Sequence, residues 1–155
     1  MNVLLSIKPE FAEKILSGGK RYEFRKTVFS DPEKVDTIFL YASSPVQRIV
    51  GAFTIDEVIS DSPANLWQKY GHYSGISDRS RFMSYFEGAE EGHAIEVDHV
   101  HEFDQPINPA RQIDDFSPPV SFYYLKEDSE LNMTHQLPDS MERVESPDLL
   151  QYSSD

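Results

Sequence analysis

The hydrophobic positions change their period along the chain, and each change marks an element. Val3-Leu4-Leu5-Ser6-Ile7 is a short β-prone run that predicts a buried strand. Pro9 suits the first turn of a helix, where its missing N–H is no loss. Phe11, Ala12, Ile15 and Leu16 then recur at helical spacing, so residues 10–17 bury one face. Gly18-Gly19 supply the left-handed backbone that ends such a helix. From Lys20 to Arg25 the pattern alternates. Read as a strand, it turns Tyr22 and Phe24 towards the core and sets Arg21, Glu23 and Arg25 together on the opposite face.

Residues 36–42 predict a third strand, and Ser43-Ser44-Pro45 turns the chain into a longer one over Gln47 to Ile59. Gly51 within it marks a bulge or a close backbone approach. Ser62-Pro63 opens a helix through Leu66, Trp67 and Tyr70 that Gly71 ends. Ser77 is read as the cap of another, whose Phe82, Tyr85 and Phe86 share a face as far as Gly88. His93 to Phe103 returns to strand character, with Val100 out of phase and a bulge expected near Asp98-His99. Prolines at 106, 109, 118 and 119 leave 104–119 irregular, and Val120 to Leu125 reads as a last strand. From Lys126 the periodicity fades and acidic residues take over, so 126–155 is expected as a weakly packed acidic extension on a domain formed by 1–125. Strands outnumber helices without alternating with them, which predicts an α+β domain: a small, mostly antiparallel sheet curled into a barrel, with two or three short helices.

The chain has 155 residues, the size of one globular domain. It has no cysteine, which excludes disulfide scaffolds, thiolate nucleophiles and thiolate-bound zinc. Apolar runs stop at about five residues, so no segment is long enough to span a bilayer, and no secretory leader pattern precedes the first strand. A cytoplasmic protein is the expectation. The formal charge is −13 but unevenly spread: residues 1–26 hold six basic against three acidic residues, whereas 126–155 hold two against eight. The overall sign disfavours non-specific binding to a polyphosphate and leaves the basic N-terminal segment as a focused site. The acidic extension is a surface for a basic protein partner.

Gly18-Gly19-Lys20-Arg21-Tyr22-Glu23-Phe24-Arg25 fits the pattern G-x-K-x-x-E-x-R, and on it the chain resembles the ASCH domain family over roughly residues 2–125. The resemblance implies a fold similar to the PUA domain, a small mixed β-barrel that holds RNA or a modified base in a cleft beside the first helix. It further implies an RNA-binding module, nearest the group described as predicted transcriptional regulators. Some relatives are enzymes, one removing the acetyl group of N4-acetylcytidine and another cleaving RNA. The amidohydrolase carries a nucleophilic threonine at the position of Glu23 and an assisting carboxylate near the position of Ser74. This chain keeps its lysine as Lys20 and lacks the other two, so that mechanism does not carry over.

Lys20, Glu23 and Arg25, with Lys8 at the end of the first strand, are the leading ligand-binding candidates. Lysine and arginine suit phosphate or base oxygens, and a carboxylate accepts from an exocyclic amine. The bland alternative is an Arg21–Glu23–Arg25 ladder on a solvent face. Ser43 and Ser44 could offer backbone N–H groups and hydroxyls, and Trp67 a stacking surface. His99 and His101 share a strand face without a third ligand, so no metal site and no cofactor are expected. The expected function is recognition of RNA or a modified nucleoside in a basic cleft, with a regulatory role. The alternatives are a hydrolase acting on a modified nucleobase or on RNA, with Lys20 and Glu23 as catalytic residues, and a protein-interaction module using the acidic extension.

Overall fold

The structure is a computed structural model and describes residues 1–144. Its frame is a seven-stranded sheet in which β1 (Asn2–Ile7) pairs in parallel with β3 (Ile38–Ala42), and every other pairing is antiparallel. The strand order is β2-β5-β4-β3-β1-β6, with β2 covering Tyr22–Arg25, β4 Arg48–Asp61, β5 Gly92–Ile107 and β6 Phe122–Leu125. The short β7 (Glu142–Arg143) adds to β5. The sheet curls into a half-barrel, and the helices α1 (Pro9–Ser17), α2 (Pro63–Tyr70), α3 (Arg79–Tyr85) and α4 (Pro109–Gln112) are all short. This is the α+β class that the balance of strands over helices predicted, and the PUA-like architecture that the family resemblance implied.

Burial explains why the first and third strands read as continuous apolar runs rather than alternating ones. Val3 and Leu5 of β1 and Leu40 of β3 pack on one side of the sheet, where Ala12 and Ile15 of α1 cover them. Leu4, Phe39 and Tyr41 pack on the other side against Phe103. Strands covered on both faces need apolar residues at every position. A third cluster, Tyr22, Phe24, Leu66, Phe82 and Phe86, joins β2 to α2 and α3.

The irregularities sit where the pattern broke. On β5 the register shifts between Val97 and Val100, which is the bulge expected at Asp98-His99. Gly51 lies beside a shift between β3 and β4, and a Cβ there would stand 2.5 Å from the His101 carbonyl oxygen and 2.9 Å from Leu16. The glycine is required by close approach.

Three expectations need correction. β5 runs on through Ile107, paired there with Ile49, so part of the proline-containing segment is strand and not irregular. Asp78, not Ser77, caps α3, its side chain accepting from the Ser80 N–H. Gly71 does end α2, as expected, but with helical dihedrals that lead into a 3₁₀ turn, Gly71–Tyr73. Its side-chain position is closed by the Trp67 ring, 2.8 Å from where a Cβ would lie. The extension is not weakly packed as far as residue 144: Leu131 and Met133 are buried against the Leu4 and Phe39 side of the sheet, and Val144 reaches the α1 side. Low periodicity hid these anchors, because isolated apolar residues in irregular chain leave no period to read. Residues 145–155 lie outside the described residues.

Candidate functional site

Two local devices aim the site residues. Gly18 takes the left-handed conformation (φ 90°) and stops α1, its N–H returning to the Ile15 carbonyl. The chain then doubles back: the Lys20 N–H donates to the Lys14 carbonyl at 3.0 Å and the Arg21 N–H to the Tyr73 carbonyl at 2.8 Å. Lys20 is thereby fixed before β2 begins, with its side chain directed beneath α1. Glu23 and Arg25 follow at alternate positions of β2, so both point to the same side.

The three charges meet. Lys20 Nζ is 3.4 Å from Glu23 Oε1, and Arg25 Nε and Nη2 each lie 2.8 Å from Glu23 Oε2. Arg25 also donates to the Ser6 carbonyl at 2.7 Å, and its Nη1 reaches the Ser121 hydroxyl at 3.4 Å. Lys20 Nζ donates to the Ser74 carbonyl and lies 4.9 Å and 5.5 Å from the centroids of Phe11 and Phe24. Burial pushes the Lys20 ammonium below the usual lysine range, and the Glu23 carboxylate opposes that shift. A solvent-face ladder does not describe this arrangement, because Lys20 and Glu23 are 1% and 6% exposed. Arg21 leaves the group altogether: its Nη2 donates to the Val144 carbonyl at 3.1 Å, and its side chain lines a different cavity with Glu142 and Arg143.

The charged group forms one wall of a cavity of about 440 Å³. Lys8 and Phe11 contribute a second wall, and Arg81, Ser84 and Tyr85 of α3 a third. The volume falls within the ~300–1,000 Å³ of small-molecule sites. An electropositive floor with one carboxylate, apolar walls and a mouth towards solvent suits an aromatic heterocycle with polar edges.

Of the sequence candidates, Lys8, Lys20, Glu23 and Arg25 line this cavity together. Trp67 does not; it lines a separate cavity of about 360 Å³ with Gly71, His72 and Ser77, and packs on Phe82 at 5.1 Å. Ser43 and Ser44 lie in the β3–β4 turn with a cis Ser44–Pro45 bond, and the Ser43 N–H is taken by the Ile7 carbonyl. Neither lines the cavity. His99 pairs with Asp98 and Thr54, and among the described residues no cluster fit to hold a metal ion occurs. Sequence reasoning missed Arg81 and Tyr85, whose helix was read only for its apolar face; Phe11, read as one of the residues α1 buries, packs on the core and also walls the cavity.

A match to the ASCH domain covers residues 5–107. The chain belongs to the ASCH domain family. It is 32% identical over 132 residues to the ASCH domain-containing ribonuclease of Zymomonas mobilis, covering 81% of this chain and 84% of that protein. The crystal structure of the ASCH protein from Zymomonas mobilis superposes with a TM-score of 0.76 at 27% identity, over 93% of this chain and 98% of that one. A segment similar to this ASCH chain also occurs in the ATP synthase subunit alpha of Ureaplasma parvum, at 31% identity over 80% of this chain but only 15% of that protein. No helix among the described residues is long and apolar enough to cross a membrane.

Proposed function

We propose that this ASCH domain recognises RNA or a modified nucleoside, with the base entering the cavity floored by Lys20, Glu23 and Arg25. The observation that carries the reading is the buried Lys20–Glu23–Arg25 group opening onto a cavity of nucleobase dimensions. Glu23, held by two cations, presents acceptor oxygens to an exocyclic amine. Arg25 and Lys8 present donors to carbonyl or phosphate oxygens, and Phe11 offers an aromatic face. A regulatory use of that recognition in transcription or translation is the finer part of the same reading.

Cleavage of RNA in the same cleft is the second reading, and the similarity to a protein described as a ribonuclease favours it. Lys20, lowered by burial, and Glu23 are then the acid–base candidates.

One experiment addresses both. The full chain is incubated at low salt with normal and modified nucleosides and short RNAs, while melting temperature reports binding and mass spectrometry reports conversion. Stabilisation that disappears in Lys20→Met and Arg25→Ala, with the substrate unchanged, supports recognition. Conversion that is lost in Glu23→Gln while that variant still melts as a folded domain supports cleavage. Shifts of equal size in all variants remove this cavity from consideration.

A further inference from the structure

Lys20 is the one lysine buried among the described residues; the other six are exposed. It lines the cavity of about 440 Å³ together with Phe11, Phe24 and Phe82. A lysine that serves only as a cation does so at the surface without the cost of leaving water. Holding a ligand oxygen therefore does not account for burying this one.

The surroundings of Nζ suit a second use. Burial is the largest influence on the amine and disfavours its ammonium form. The Glu23 carboxylate, 3.4 Å from Nζ, opposes this, and the Arg25 and Lys14 cations add to it. A desolvated amine beside further cations is the setting that makes lysine a nucleophile, and a carboxylate within reach of it can move the protons. The nearby hydroxyls are already committed. Ser6, which also lines the cavity, donates to the Pro119 carbonyl at 2.6 Å, and Ser74 donates to the Gly71 carbonyl at 2.6 Å. Two further cations, Lys8 and Arg81, line the same cavity at exposed positions and stand towards its open side.

We propose that Lys20 is a nucleophile that forms an imine with an aldehyde or ketone bearing an anionic group, the carbonyl lying against Nζ and Glu23 and the anion against Lys8 and Arg81. Glu23 Oε1 takes one ammonium proton, and the freed pair on Nζ attacks the carbonyl carbon. The carbonyl π pair moves to oxygen, which takes that proton from Glu23 and becomes the hydroxyl of a carbinolamine. A second proton leaves Nζ for Glu23 and passes to the hydroxyl, and the Nζ pair forms the C=N bond as water departs. An ammonium and a carbonyl compound give a protonated imine and water, so charge is conserved and Glu23 still faces a buried cation. The nucleobase reading uses Lys20 only as a cation, and this step does not rest on it.

The test is reductive trapping on the full chain at neutral pH. The protein is incubated with para-carboxybenzaldehyde or with benzaldehyde in the presence of cyanoborohydride, which reduces a protonated imine to a stable secondary amine. Peptide mapping by mass spectrometry reads the label at each lysine. Lys20 is expected to be labelled roughly 100-fold faster than the exposed Lys34 and Lys69, the gain that a positioned acid–base group supplies. The carboxylated aldehyde is expected to react faster than benzaldehyde at Lys20, and Lys8→Ala and Arg81→Ala to bring the two rates together. Labelling of Lys20 no faster than that of Lys34 and Lys69 overturns the proposal. That comparison is made within the wild-type chain, so it stands whether or not a variant folds. Equal rates for the two aldehydes in the wild type overturn the anionic class of substrate. Binding of nucleosides with no preferred label at Lys20 overturns the imine and keeps the nucleobase reading, so the two fail separately.

Discussion

Lys20 Nζ lies 3.4 Å from Glu23 Oε1 with both side chains buried, and Arg25 closes on the second oxygen of the same carboxylate at 2.8 Å. Two cations therefore share one buried anion. Removing a charge from such a group is costly in proportion to what is left uncompensated.

The two obvious variants are accordingly expected to differ. Glu23→Gln leaves Lys20 and Arg25 facing each other without a carboxylate and is expected to destabilise the domain by roughly 3–5 kcal/mol. Lys20→Met keeps the stem and leaves Glu23 paired with Arg25, so its cost is smaller. Urea denaturation of both variants checks the order.

Lys20 also makes stability depend on pH in a defined direction. Its folded pKa lies below the ordinary lysine value of 10.5 because burial disfavours the ammonium. The unfolded chain therefore binds more protons between the two values, and the Lys20 contribution to stability rises with pH across that window and is level below it. The stability difference between wild type and Lys20→Met, followed up to about pH 10.5, is expected to move in favour of the wild type.

Glu96 gives the opposite sign at acid pH. Burial raises its carboxyl, Asp56 and Glu57 add to the shift, and the Tyr22 hydroxyl donating at 3.0 Å opposes it. A raised folded value means that stability falls as pH rises through the window above the ordinary 4.5. Glu96→Gln keeps an acceptor for Tyr22 and is expected to be more stable than the wild type at neutral pH. The gain disappears on acidification below that window, which thermal melts from pH 4 to 7 would show.

Gly51→Ala is expected to destabilise by about 1–3 kcal/mol, as overpacking does. The added methyl meets a backbone oxygen, His101 O, at 2.5 Å, and a strand backbone cannot swing aside as a side chain would. Denaturant midpoints at unchanged slope would confirm that the native state alone is affected.

Leu131→Ala is expected to cost roughly 2–5 kcal/mol, the ordinary cost of truncating a buried leucine. Leu131 is 2% exposed and packs on the face that carries Leu4 and Phe39. Removing 126–155 as a whole uncovers that face, so a partner for the acidic extension is better sought with Glu127→Gln and Glu130→Gln, both at exposed positions.

Much of the fold is legible in the amino-acid order because local physics decides it. The period of Phe11, Ala12, Ile15 and Leu16 makes α1, Gly18 ends it, and the alternation from Tyr22 to Arg25 puts Glu23 and Arg25 on one side. The out-of-phase Val100 announced the β5 bulge. Burial and partners are another matter. Period two places Arg21 beside Glu23 and Arg25, yet Arg21 precedes β2 and its guanidinium goes to the Val144 carbonyl, while Lys20, outside the alternation, joins the charged group. That exchange depends on the Lys14 and Tyr73 carbonyls capturing the backbone of Lys20 and Arg21, contacts made by the helix before and the turn fifty residues after. Tyr85 and Arg81 came to the cavity, and Trp67 went to another, through the docking of α2 and α3 on β2. Residues in sequence fix which faces are apolar; which charges end up sharing one carboxylate is settled only when distant elements pack and exclude water between them.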